Sequence, residues 1–80
     1  TMSYDKNTTP KYYCTTSKGG AFLAVSIPSV KRQASNLLNG YRNVLDSVNV
    51  HDYETGVLVA TLRRINKKAP DGTIKYGKWN

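Results

Sequence analysis

The chain has 80 residues, of which twelve are Lys or Arg and five are Asp or Glu, so its formal net charge is +7. A chain of this length forms one small domain, with room for a single core and little room for a deep catalytic cleft. A single cysteine excludes an intramolecular disulfide, and with it the class of disulfide-stapled secreted domains. No apolar run reaches membrane-spanning length and no signal peptide precedes the domain, so we expect a cytoplasmic protein without a membrane partner.

The first third of the chain predicts a loose segment followed by a β-hairpin. Residues 1–10 are polar and end at Pro10, and residues 11–80 are expected to form the single domain. Residues 11–16 have strand composition, residues 17–20 form a turn signal, and residues 21–26 are suited to a second strand.

A helix is predicted next, over residues 28–39. Apolar residues recur three or four positions apart from Ile27 to Leu38. Pro28 is tolerated in a first helical turn, and Gly40 is suited to a left-handed residue after the last turn. A helix of about three turns is too short to be stable alone, so we expect it to lie on a sheet.

A second hairpin follows, and the rest of the chain is organised around it. Residues 44–50 and 57–65 are rich in β-branched residues, and Asp52 and Gly56 mark the turn between them. Residues 69–72 form another turn signal, and residues 73–79 predict a last strand. The expected class is α+β, with one short helix packed on a four- to five-stranded, mainly antiparallel sheet in the order β-β-α-β-β-β.

The period of two along each strand assigns its residues to the two faces of the sheet. The inward face is expected to hold Leu58, Ala60, Leu62, Val48, Val50, Ile74 and Tyr76. The outer face is expected to hold Val59, Thr61, Arg63, Lys75 and Trp79. A tryptophan and basic residues on an open sheet face are suited to a binding surface.

No motif in the chain identifies a reaction. His51 is the one histidine and adjoins a turn, and Cys14 sits in an apolar strand, so neither belongs to a metal-ligand or nucleophile pattern. Asp52 and Glu54 are explained by the turn, and residues 17–20 lack the complete phosphate-loop pattern. We therefore predict a protein that is not an enzyme and has no catalytic residue, no cofactor and no metal.

The clearest functional signal is charge. Residues 63–80 carry six basic residues and one acid, Asp71, whereas residues 46–54 carry three acids and no Lys or Arg. The predicted partner surface consists of Arg63, Arg64, Lys67, Lys68, Lys75 and Lys78 with Trp79 beside them, and a second patch on the helix consists of Lys31 and Arg32. Lys and Arg interspersed with aromatic residues suit phosphates and unpaired bases, and they equally suit an acidic protein interface.

The order from the helix onward resembles a known family. The residues that carry this resemblance are Val30-Lys31-Arg32-Gln33-Ala34-Ser35, the strand with Val48 and Val50, Gly56-Val57-Leu58-Val59-Ala60, Asp71-Gly72 and Lys78-Trp79. Over residues 28–79 this pattern is similar to the small type I-F anti-CRISPR proteins of phages, which have one helix on a curved antiparallel sheet. The resemblance implies inhibition by binding to the guide-RNA backbone subunits of a CRISPR surveillance complex, which hinders pairing of target DNA with the guide. By matching position, it points to Lys31 and Arg32.

Three hypotheses follow. The first is a phage-encoded inhibitor that acts in the host cytoplasm on a host protein or ribonucleoprotein complex and blocks recognition of target DNA. The second is a small nucleic-acid-binding module for single-stranded DNA or RNA, or a transcription accessory factor. The third is a structural subunit of a larger particle whose basic face is neutralised by its neighbours.

Overall fold

A Ser-Ile-Pro-Ser sequence at positions 26–29 starts the helix, in the computed structural model that describes residues 9–80. Helix α1 spans Ile27–Leu38, and the Ser26 side chain caps it by accepting a hydrogen bond from the backbone N–H of Ser29 at 3.3 Å. A 3₁₀ turn, Asn39–Tyr41, follows the helix. The left-handed residue after it is Arg42, with φ 54°, so the prediction that Gly40 takes this conformation is wrong.

Six strands accompany the helix in the described part of the chain. They are β1 (Tyr12–Thr16), β2 (Ala21–Ala24), β3 (Leu45–Asp52), β4 (Leu58–Ile65), β5 (Lys67–Lys68) and β6 (Ile74–Lys75). The first four form one antiparallel sheet in the order β2-β1-β3-β4, and the last two form a separate hairpin. The predicted α+β class with one helix and a mainly antiparallel sheet is confirmed. Most of the segment predicted to be loose, residues 1–8, lies outside the described residues.

The core lies between helix α1 and one face of the four-stranded sheet. Its buried apolar residues are Cys14, Ala24, Val30, Ala34, Leu38, Val48, Val50 and Leu62. Along β3 and the second half of β4, buried and exposed residues alternate, as expected for a sheet with one covered face. The inward placement of Val48, Val50 and Leu62 is therefore confirmed.

A β-bulge reverses the face of the sheet on which the side chains at the start of β4 lie. Val50 pairs with Ala60, but the next residue of β3, His51, pairs with Leu58, so Val59 is an extra residue. An extra residue reverses the face on which the preceding side chains lie. Leu58, predicted to lie inward, is consequently 53% exposed, and that prediction is wrong.

The C-terminal segment covers the outer edge of β4. The backbone N–H of Asn80 donates to the Arg63 carbonyl at 2.8 Å, and the Arg63 N–H donates to the Asn80 carbonyl at 3.1 Å. Gly77 passes so close to Ile65 that an added Cβ would overlap the Ile65 carbonyl oxygen. Residues 77–80 therefore protect part of an edge that would otherwise expose unpaired backbone groups.

Candidate functional site

Arg64, which the sequence placed on the partner surface, is buried at the end of the sheet. Its Nε donates to a carboxylate oxygen of Asp46 at 2.8 Å, and the two side chains are 2% and 0% exposed. Of its other guanidinium nitrogens, Nη1 donates to Ser35 Oγ at 3.2 Å and Nη2 donates to Asn39 Oδ1 at 2.8 Å. Arg64 is thus a structural residue that ties β3, β4 and helix α1 together, and its assignment to the partner surface is wrong.

The Asp46 carboxylate is satisfied from several sides. Besides Arg64, it accepts hydrogen bonds from the side-chain amides of Asn66 at 2.8 Å and Asn43 at 3.3 Å. Burial opposes its ionisation, but these hydrogen bonds and the positive charge of Arg64 outweigh burial and hold the pKa of Asp46 below its ordinary value. No side-chain polar atom buried within residues 9–80 lacks a hydrogen-bond partner. The cluster is therefore a complete buried network around an ionised pair.

Trp79 and Tyr76 also belong to this network. The Arg64 guanidinium carbon lies 4.5 Å from the centre of the Tyr76 ring and 4.9 Å from that of the Trp79 ring. Trp79 Nε1 donates to Ser35 Oγ at 2.9 Å, and the Tyr76 hydroxyl donates to the Asn39 carbonyl. The prediction of Trp79 as an open, outward-facing residue beside the basic surface is wrong, because its ring packs on Arg64 and against the core.

Removing Arg64 and Trp79 from the predicted surface leaves a set of exposed cations at one end of the molecule. Strand β3 begins at this end, β4 and helix α1 end there, and the β5–β6 hairpin extends from it. The turn between β1 and β2 is at the same end, since the Ser17 N–H donates to the Ser47 carbonyl at 3.1 Å. We call these exposed residues the basic pole: Lys18, Arg42, Arg63, Lys67, Lys68, Lys75 and Lys78.

Lys18 and Arg42 are members of the basic pole that the sequence did not single out. The Lys18 ammonium lies 5.8 Å from the centre of the exposed Tyr41 ring. Arg42 is the one non-glycine residue within 9–80 that has a positive φ, a conformation often associated with functional positions. Lys18 lies in the β1–β2 turn, before the helix in sequence, and Arg42 lies in the connection after the helix. Only the strand order brings these two connections to the same end of the molecule.

The opposite end of the sheet carries the acids of the β3–β4 turn. The Asp52 carboxylate accepts backbone hydrogen bonds from Thr55 at 3.0 Å and Glu54 at 2.9 Å, and the bond from Thr55 is the main reason that the pKa of Asp52 is lowered. Lys11 lies at this end, because the Tyr53 N–H donates to its carbonyl at 3.0 Å. The 46 Å long molecule is therefore polarised, with cations at one end and both signs of charge at the other.

The helix patch, Lys31 and Arg32, was predicted as a second partner surface. Lys31 and Arg32 lie in the first half of helix α1, which starts near the acidic end and runs toward the basic pole. Arg32 is exposed and Lys31 is half-buried. Ser35, one helical turn after Lys31, accepts hydrogen bonds from Arg64 and Trp79, so the helix patch lies one turn from the buried network.

The β5–β6 hairpin has an uncommon feature within the basic pole. Lys67 and Lys75 are directly opposite each other in an antiparallel pair, and Lys68 faces Ile74. The acid of this hairpin, Asp71, is engaged at the turn, where it accepts from the Thr73 hydroxyl at 2.7 Å and from the Thr73 N–H at 3.1 Å. Like charges directly opposite each other destabilise a strand pair, so this arrangement is not explained by stability.

The residues with reactive chemistry lie away from the basic pole. Cys14 is fully buried, and burial raises the pKa of its thiol to about 11, so it is protonated and unreactive near neutral pH. His51 Nδ1 lies 3.2 Å from the Gly56 carbonyl oxygen at the turn. Within residues 9–80, no three His, Cys, Asp or Glu side chains are grouped in a way that could hold a metal ion.

No protein-family model matches the chain, and no curated protein sequence or solved structure is significantly similar to it. None of the helical segments among the described residues has both the length and the apolar character needed to cross a bilayer.

Proposed function

We propose that this chain is a non-enzymatic inhibitor that docks its basic pole on a nucleoprotein complex and blocks access to the nucleic acid. The observation that carries the proposal is the accumulation of seven accessible cations at one end, together with the burial of Asp46 in an ion pair. Asp46 therefore does not offset the positive field of this end, and Asp71 is the one exposed acid among these elements. Such a field attracts polyanions and speeds their association.

The resemblance to the small type I-F anti-CRISPR proteins supplies the candidate target. The target would be a CRISPR surveillance complex in the cytoplasm of a bacterial host, with its guide RNA and acidic protein surfaces as the anionic partner. The buried Arg64–Asp46 network supports this role because it fixes the C-terminal segment, the helix end and the β4 edge relative to one another. A rigid surface loses little conformational entropy when it binds.

Binding to an assembled, guide-loaded type I-F surveillance complex tests the proposal. We expect tight binding of the complex at physiological salt, weak binding of naked oligonucleotides, and loss of target-DNA pairing when the protein is added. The variant Arg63→Glu/Lys75→Glu should fold normally and bind the complex poorly, because exposed charges contribute little to stability. The charge-matched variant Lys31→Glu/Arg32→Glu reports separately on the helix patch. Binding that is unchanged by reversal at Arg63 and Lys75 would remove the basic pole from the mechanism.

A small nucleic-acid-binding module is the second candidate function. The observation that favours it is the direct opposition of Lys67 and Lys75, which suits an anion held between them. A plain nucleic-acid binder should hold naked DNA or RNA tightly at physiological salt, whereas the proposed inhibitor should need the assembled complex. Mobility shifts with single- and double-stranded oligonucleotides distinguish the two functions.

A further inference from the structure

The two facing lysines of the β5–β6 hairpin have no acidic partner in the described part of the chain. Within residues 9–80 the one ion pair joins Arg64 and Asp46, so neither Lys67 nor Lys75 is neutralised by a carboxylate. Side chains directly opposite each other in an antiparallel pair have Cβ atoms about 5 Å apart. An anion placed between the two ammonium groups would relieve their repulsion and would be contacted by both.

The lysine pair borders a cleft that continues along the outer face of the sheet. Lys67 and Lys75 line a cleft of about 140 Å³ together with Ile65, Tyr76 and Gly77. A neighbouring groove of about 280 Å³ shares Ile65 and is lined also by Leu45, Thr61, Arg63 and Asn80. Both openings lie beside residues that the C-terminal segment holds in place.

Charged and apolar residues alternate along this path. Arg63, Ile65 and Lys67 are exposed, whereas the intervening residues Arg64 and Asn66 are buried, so the exposed side chains lie on the same side of the chain. Ile65 is 71% exposed, although it is a large apolar residue between two cations. Within β4, Arg63 and Ile65 are roughly 7 Å apart along the strand, at about 3.3 Å per residue.

We infer that Lys67 and Lys75 form a phosphate subsite that binds the sugar-phosphate backbone of a nucleic-acid duplex, with Ile65 against a sugar and Arg63 at another phosphate of the same strand. This inference rests on one part of the proposed function, the contact with nucleic acid, because it takes nucleic acid to be what the basic pole meets. The two non-bridging oxygens of a phosphodiester can each accept a hydrogen bond from one of the ammonium groups. A backbone that carries less polar sugars between anionic phosphates suits a surface on which the apolar Ile65 lies between the cations Arg63 and Lys67.

The positions of the aromatic side chains indicate whether this subsite prefers a duplex or a single strand. Single-strand binders stack successive bases on exposed aromatic side chains. Tyr76, which lines this cleft, and Trp79 instead pack on the Arg64 guanidinium and donate hydrogen bonds to Asn39 and Ser35. These two rings are therefore already engaged within the fold, and the higher charge density of a duplex favours the duplex.

Fluorescence anisotropy at low salt tests the subsite with three labelled probes: a DNA duplex, its single strand, and an oligoglutamate peptide of equal charge. The protein should bind the duplex at least as tightly as the single strand, with no dependence on base sequence, and the peptide more weakly. Lys67→Glu and Lys75→Glu should each weaken duplex binding about tenfold and lower the log–log salt slope by about one unit or more. The matched single reversal Lys11→Glu, at the opposite end, should leave both quantities near those of the parent protein.

Thermal unfolding of the same variants separates a binding role from a structural one. Lys67→Glu places a carboxylate opposite Lys75, and Lys75→Glu does the same opposite Lys67, so neither variant should unfold at a lower temperature than the parent. Weaker duplex binding with unchanged or higher stability supports the subsite. A marked preference for the single strand or the peptide would overturn it.

Equal losses in Lys67→Glu, Lys75→Glu and Lys11→Glu would also overturn the subsite, because they would show a diffuse charge effect. Unchanged duplex binding in the two hairpin variants, with loss of surveillance-complex binding in Arg63→Glu/Lys75→Glu, would overturn the subsite and leave the proposed function standing. Absence of surveillance-complex binding by the parent protein, with duplex binding still dependent on Lys67 and Lys75, would reject the inhibitor and retain the subsite.

Discussion

At the scale of single residues, Asp46 is the side chain on which the buried network depends. It accepts hydrogen bonds from Arg64, Asn66 and Asn43 and is fully buried. Asp46→Asn removes the charge that balances the Arg64 guanidinium and should destabilise the fold by about 3–5 kcal/mol. Denaturant unfolding measures this change, and the exposed Asp71→Asn provides a control that should move stability by less than about 0.5 kcal/mol. A similarly small effect at Asp46 would contradict an essential buried ion pair.

The lowered pKa of Asp46 predicts how the stability of the protein changes in acid. The pKa of Asp46 in the folded state lies below its ordinary value of 3.8. Its stabilising contribution is therefore complete above that ordinary value and is lost as the pH falls through the lower, folded-state pKa. The thermal midpoint should drop below about pH 4, and the drop should be shallower in Asp46→Asn, which has no carboxylate to protonate. An identical acid response in both proteins would assign the effect to other carboxylates.

Gly77 is required by a close approach of two backbones. A Cβ at this position would overlap the Ile65 carbonyl oxygen, so Gly77→Ala should displace the C-terminal segment and destabilise the fold by about 1–3 kcal/mol. Trp79 is the single tryptophan of the chain, and its fluorescence should show increased access to a soluble quencher. Gly40→Ala is the control, because an added Cβ there meets nothing within 4 Å and Gly40 has no positive φ. Quenching that is equal in both variants would argue against a tightly held C-terminal segment.

At the scale of secondary-structure elements, the bulge in β4 gives two leucines of one strand different roles. Leu62 is 9% exposed and belongs to the core, whereas Leu58 is 53% exposed. Leu62→Ala should destabilise the protein by about 2–4 kcal/mol, and Leu58→Ala by less than about 0.5 kcal/mol. The pair changes the same number of atoms in the same strand, so thermal or denaturant unfolding of both variants isolates the effect of burial. A larger loss at Leu58 would mean that the register before Ala60 is reversed.

The elements that the sequence predicted correctly are those with a strong local period. The apolar spacing predicts a helix over residues 28–39, and the helix spans Ile27–Leu38; the strand composition predicts residues 57–65, and the strand spans Leu58–Ile65. Strand β5 was not predicted, because two adjacent lysines carry no alternating pattern, and its pairing with β6 depends on the turn between them. The bulge depends on how His51 and Leu58 pair across the hairpin, which a period within one strand does not encode.

The burial of Arg64 could have been predicted from the alternation along its strand. The clustering of basic residues around Arg64 favoured a surface position instead. Arg64 is two residues after the inward-facing Leu62, and Asp46 is two residues before the inward-facing Val48, so strict alternation places both on the covered face. The register then sets Asp46 directly opposite Arg64. The predicted partner surface followed net charge instead, which is why it included Arg64, while the exposed Arg63, Lys67, Lys68, Lys75 and Lys78 remain candidates.

At the scale of the whole molecule, the strand order separates positive from mixed charge at the two ends of the sheet. The order β2-β1-β3-β4 brings the β1–β2 turn, the start of β3 and the β5–β6 hairpin to one end, and the β3–β4 turn to the other. Residues distant in sequence, such as Lys18 and Lys75, thereby belong to one pole. This part of the candidate site could not be predicted from segments considered singly, because it exists only in the assembled sheet.

The membership of Arg42 in the basic pole yields a prediction at this scale. If the whole end contacts the anionic partner, Arg42→Glu should weaken binding to that partner by about as much as Arg63→Glu, although the sequence grouped only Arg63 with the C-terminal cations. Lys11→Glu makes a charge reversal of the same sign at the opposite end and should weaken binding much less, since charges beyond about 10 Å are largely screened at physiological salt. Affinities of the three variants for the same probe, measured at low and at physiological salt, distinguish direct contact from a long-range electrostatic effect. Equal weakening at low salt that disappears at physiological salt would indicate only a long-range field. Selective loss in Arg42→Glu and Arg63→Glu at physiological salt would establish direct contact by both sides of the pole.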